Sequence, residues 1–348
     1  SLDALTVGGS NVAVGYGALS LAAVGESGNI AIGESAMASV DEGTAGGDID
    51  NNIAIGVNAF TCGDLAGNDR QVDGNIAIGT NAVNSTGAFA QTGTIGIGYN
   101  ALTALTSGAG NVAVGYQSAD ALLTGGGNVT LGFESLSAED AGSGNVALGY
   151  RALKTLNNDD GQNIAIGYEA MVNSSNAYWN IAIGRSAGAE MSSANVGSCV
   201  LIGYQSGDAI SDAGASGTVA IGKSSLSALT TGAGNTAVGY RALMTNTDGT
   251  NNTAIGYDAL KLAPAGTIYN TAVGYLALGA INHGDADRNT AVGHAAGDVI
   301  STGTQNTCIG NETDPSANDA INQTVIGNGA TGVENHSVTL GNASVENV

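Results

Sequence analysis

Apolar and polar positions alternate along this chain for only three residues at a time, and the same short pattern then returns. In Asn29-Ile30-Ala31-Ile32-Gly33 two β-branched residues flank an alanine, the period of a strand with two differently packed faces. The unit Asn-Φ-Ala-Φ-Gly-Tyr-x-Ala-Leu, with Φ as Val, Ile or Thr, recurs so that its glycine falls at nineteen positions from Gly15 to Gly341. Most steps are 17 to 19 residues; two are 23 and the last is 14. A fixed period of this size predicts a solenoid in which each repeat packs on its neighbours.

Each column carries an expectation. Ile30 and Ile32 are expected to form the interior of the roll, and Ala31 a face thin enough for a second chain at a trimer axis. Gly33 marks a sharp bend with a positive φ or a tight backbone approach. Three residues beyond every one of the nineteen glycines stands Ala, Ser or Thr, as at Ala152, which reads as a contact between chains. The next column, Leu153 in that repeat, closes the core from a second short strand. Tyr follows the glycine in nine repeats, Tyr150 among them, and stacking about 4.8 Å apart predicts a ladder. Asn opens fourteen repeats and suits a turn entering the strand through its left-handed tolerance and its backbone-bonding amide. The result is an all-β, parallel β-solenoid of about nineteen rungs, one continuous domain over 1–348, roughly 90 Å long at the spacing of neighbouring strands.

Composition narrows the function. Glycine contributes 56 residues and proline 2, without the period of collagen. Thirty acidic and eight basic residues give a formal charge of −22, which argues against nucleic acid as a partner. No apolar run approaches the length of a membrane span, so no membrane insertion is expected. Ser1-Leu2-Asp3-Ala4-Leu5 leads straight into the repeat, the expectation for a fragment, a processed chain or a fibre whose anchor lies elsewhere. Cys62, Cys199 and Cys308 are too far apart to read as a disulfide framework or a thiolate metal site, and Cys308 reads as a small core residue.

Catalytic chemistry finds little support. His283, His294 and His336 lie in different repeats, His294 in the tyrosine column, where it is expected to stack. No nucleophile with a base at motif spacing occurs, so no enzyme activity and no cofactor are expected. Glycine runs such as Gly125-Gly126-Gly127 read as turns between rungs. The loops Asp48-Ile49-Asp50, Asn158-Asp159-Asp160 and Asp285-Ala286-Asp287 offer hard oxygens for Ca²⁺, but solvated loop charge is the expected reading. Tyr178 and Trp179 stand before Asn180, where they would pack against a neighbouring chain or stack on a sugar of a receptor. The loops 38–51 and 61–74 are the longest and the best placed for receptor contact.

The Asn-Φ-Ala-Ile-Gly-x-x-Ala unit resembles the head repeat of YadA-like trimeric autotransporter adhesins, found also in phage tail-fibre shafts. The resemblance covers essentially the whole chain. It implies a left-handed parallel β-roll, three chains about a common axis, an extracellular location and attachment to a host-surface glycan or protein. The family's repeat is close to 14 residues, which only the last step matches, and neither a heptad stalk nor an anchor barrel is legible. The ending from His336 to Val345 is similar to the stretch before a cleavable chaperone in phage fibres, which favours a virion tail fibre. A self-assembling extracellular filament or surface-layer component is the alternative, because the repeat runs close to both ends. An ice-binding solenoid would need an unbroken Thr-x-Thr face, and the Thr columns are interrupted.

Overall fold

A computed structural model describes residues 9–20, 26–39, 49–61, 71–84, 91–159, 161–192 and 195–345. The chain divides into two compact units, Ser1–Tyr178 and Trp179–Val348. Each is a parallel β-solenoid whose rungs contribute one three-residue strand, from Val12–Val14 to Ile164–Ile166 in the first and from Ile181–Ile183 to Val338–Leu340 in the second. Among the described residues helix is confined to one 3₁₀ turn, Ala213–Ala215. Register is column on column: Ile30 pairs with Ile53, Ala31 with Ala54 and Ile32 with Ile55, and Thr253-Ala254-Ile255 pairs in the same way with Thr271-Ala272-Val273.

The strand faces are the reverse of the sequence expectation. Ala31, Ala54, Ala147 and Ala237 are fully buried, while Ile32 is 38% and Leu131 55% exposed. Alanine therefore points into the thin interior and the branched residues point out. The reason is room: the interior already holds the large column one turn later, Met37, Phe60, Leu102 and Leu153, all buried. Two facing columns of bulky residues would overfill a coil this narrow. The small column of Ala152 is likewise part of the chain's own core, buried from Ala18 to Ala330, and makes no contact surface between chains.

The glycine column follows the expectation. Gly33 has φ +134°, and a Cβ there would collide with the carbonyl oxygen of Gly56 on the next rung. Where a second strand was expected there is instead a left-handed corner. Ser35 (φ 55°) and Met37 (φ 51°) flank Ala36, and the pattern repeats at Arg151 and Leu153. Positive φ at Leu or Met is costly, and it persists here because the corner is locked by bonds to both neighbouring rungs. Ser35 N–H donates to Tyr16 O and Met37 N–H to Ala59 O, so the turn continues the ladder of the strand.

Of the two features expected of the asparagine column, the backbone-bonding amide is present and the left-handed conformation is not. The residue before it takes that conformation, as at Gly28, Asn51 and Trp179, and the asparagine itself is buried. Asn128 N–H donates to Asn111 Oδ1 at 2.9 Å, Asn128 Nδ2 donates to Gly142 O at 2.9 Å, and Asn145 N–H donates to Asn128 Oδ1 at 2.9 Å. One side chain thus ties its own strand entry to the following loop and the next rung.

Candidate interaction surface

Once the core columns are assigned, what remains is the outward strand face. Its two columns hold Ile30 and Ile32, Ile76 and Ile78, or Thr253 and Ile255, and neither column contains a charged residue in any repeat. Val14, Ile55, Leu131, Ile183, Ile255 and Ile326 are between 37% and 56% exposed, apart from Ile183 at 36%. A soluble chain seldom leaves aliphatic side chains uncovered in an unbroken row.

Beside this face runs the aromatic ladder. In the first unit Tyr99, Tyr116, Phe133, Tyr150 and Tyr168 stack with ring centroids 5.0 to 5.4 Å apart. In the second Tyr240, Tyr257 and Tyr275 stack at 4.8 and 5.5 Å, and His294 stacks on Tyr275 at 5.1 Å, as the sequence predicted. Cations enter the ladder: the Lys223 ammonium lies 5.5 Å from the Tyr204 ring and 5.9 Å from Tyr240, and the Arg151 guanidinium 4.8 Å from Tyr150. The next column carries ion pairs. Arg241 meets Asp258 through two hydrogen bonds of 2.8 and 2.6 Å, and Glu134 accepts from Lys154 and Arg151 at 2.6 and 2.9 Å. The bond from Lys154 leads the effects that hold the Glu134 carboxyl below its ordinary value.

Half-buried carboxyls behave oppositely. Burial pushes Asp208 up to about 6, with the charge of Glu190 adding to it, and its Oδ1 has no hydrogen-bond partner. Burial also raises Asp314 to about 6, reinforced by Asp298. Asp120 and Asp298 are raised for the same reason. Cys199 and Cys308 are buried, and burial pushes the Cys308 thiol up to about 12, the state of an inert core residue.

Asn29, Ala31 and Gly33 lie in buried or close-packed columns, and Ile30 and Ile32 on the outer face. Trp179 is 55% exposed at a left-handed position, and Tyr269 occupies the same column at 50%. Tyr178 is half-buried. In the loops weighed for Ca²⁺, Asp50 Oδ1 accepts from Ser27 N–H and Asp287 Oδ1 from Ile268 N–H, so both serve as loop ties. Among the described residues no group of three His, Cys, Asp or Glu is placed to hold a metal ion. Asp48, Asp160, Cys62 and most of the loops 38–51 and 61–74 lie outside the described residues. Among the described residues no helix is long and apolar enough to cross a membrane. No protein-family model matches the chain, and no curated protein matches it.

Proposed function

We propose that the chain is one strand of an extracellular attachment fibre, a homotrimer of left-handed parallel β-rolls such as a phage tail-fibre shaft or an adhesin. The observation that carries this reading is the outward strand face, uncharged in a chain of −22 and with one of its two columns aliphatic in every repeat. Identical acidic chains repel over most of their surface, and an uncharged face is where copies meet at least electrostatic cost. Another copy also offers the one surface with the same rung spacing and the same column order. The role of the small residues in such an assembly passes from an interchain contact to the interior of each chain. Receptor contact, with a host-surface glycan or protein, falls to the outer columns and loops, with exposed Trp179 and half-buried Tyr178 as stacking residues. No catalysis, cofactor, bound Ca²⁺, nucleic-acid contact or membrane insertion forms part of this reading.

Light scattering on the purified chain tests it. The expected mass is three times the 33.9 kDa of the chain. A single-chain mass sinks the trimer, and mass growing without limit, with long filaments by negative stain, supports the surface-filament alternative instead.

A further inference from the structure

The first strand position of the outward face changes chemistry inside the second unit. All nine three-residue strands described in the first unit open on Val or Ile, from Val12 to Ile164. The second unit opens with Ile181, Val200 and Val219, then places Thr236, Thr253, Thr271, Thr290, Thr307 and Thr324 on six consecutive rungs, and returns to Val338. These rungs pair in register, threonine on threonine. Threonine and valine have the same shape and both favour strands, so neither the backbone nor the core dictates the switch.

The hydroxyls distinguish them. Thr130, in the inward middle position of its strand, is satisfied by Ser118 at 2.6 Å. None of the six outward hydroxyls has a hydrogen-bond partner within the chain among the described residues, and all six residues are half-buried. Half-buried hydroxyls in an unbroken row, with no partner inside the chain, are left to water or to a partner beyond the chain.

We propose that this threonine block sets the register between copies, so that each rung meets the same rung of its neighbours. The inference rests on the trimer reading above and names what that reading lacks. A repetitive aliphatic face is nearly indifferent to a slip of one rung, as a β-pair without a distinguishing feature is to a slip in its ladder. A bounded polar block is not indifferent. In register, every threonine meets a threonine, and three hydroxyls on one level close a ring in which each donates once and accepts once. A slip of one rung sets a hydroxyl against Val219 at one end of the block and against Val338 at the other. Those hydroxyls are desolvated without a partner, which disfavours the slipped pairing.

Disulfide trapping between copies tests this. In a Cys62→Ser background, with Cys199 and Cys308 buried in the core, chains carrying Val238→Cys are co-refolded with size-tagged chains carrying Ile255→Cys. Same-rung disulfides are expected to exceed off-rung ones by about tenfold, the ratio two unmade hydrogen bonds support. Replacing all six threonines by valine should leave the trimer mass unchanged and bring the ratio close to one, and replacing them by serine should restore the preference. An unchanged ratio in the valine variant overturns the register role while leaving the trimer standing. A single-chain mass for the parent removes both. The outward position of the six residues makes misfolding of the valine variant unexpected, and circular dichroism checks it directly.

Discussion

The two units differ where they face outward and agree where they face inward. In the first the strand face is Val, Ile or Leu throughout, and the aromatic ladder runs unbroken from Tyr99 to Tyr168. In the second, threonine takes one column over six rungs, and Arg185 and Lys223 enter the tyrosine column. Yet Ala147 and Ala254, Leu153 and Leu260, Gly149 and Gly256 hold the same buried or close-packed places in both. Core columns answer to volume and backbone geometry, which every rung shares. Outer columns answer only to what they meet, so their variation carries the information about partners.

Substitutions inside and outside the core would break or sharpen that comparison. The largest effect is expected at the glycine column: Gly149→Ala and Gly256→Ala each press a Cβ into the carbonyl of the following rung at φ +136° and +141°. Each should cost upwards of about 4 kcal/mol, enough to prevent folding of its unit, read by circular dichroism. Gly74→Ala, whose Cβ would meet nothing within 4 Å, should cost far less. Leu153→Ala and Leu243→Ala should each lose about 3 kcal/mol in chemical denaturation, with no difference between the units. Unequal losses would contradict a shared interior.

Asn128→Ala should cost about 2 kcal/mol, because the Asn145 N–H is then left buried without its acceptor. Asn252→Ala should match it, since Asn252 Oδ1 accepts from Asn270 N–H at 3.0 Å. The smallest effect is that of pH, and it is larger in the second unit, where Asp208 and Asp314 are raised to about 6, than in the first, where Asp120 is raised. Asp208 and Asp314 bind a proton more tightly folded than unfolded, so stability rises as pH falls from 7 through about 6 toward the ordinary carboxyl value of 3.8. The melting temperature should be higher at pH 5 than at pH 7, and the double change Asp208→Asn with Asp314→Asn should flatten that dependence. A rise of equal size in the double variant would assign the effect to general charge repulsion.

The repeat period, the bend at Gly33, the tyrosine ladder and the stacking of His294 were legible because each rests on a single residue type at a fixed place. The direction of the strand was not. Alternation of Ile30, Ala31 and Ile32 establishes two faces, but which one is inner depends on what fills the coil opposite. Phe60 and Leu153 fill it, from left-handed corners that propensity disfavours at such residues. The backbone-bonding amide of the asparagine column was legible, but its burial and its bonds to the next rung were not. An asparagine before a strand looks like a turn residue until its amide is seen bonding the next rung.

The central claim, that the outward aliphatic face is covered by copies of the same chain, is tested most directly by hydroxyl-radical footprinting of the assembled protein. Leu131, Ile183 and Ile255, exposed on a single chain, should be modified as little as buried Leu153, while Val333, 74% exposed and off this face, should react freely. Modification of Leu131 and Ile255 to the extent seen at Val333 would contradict it.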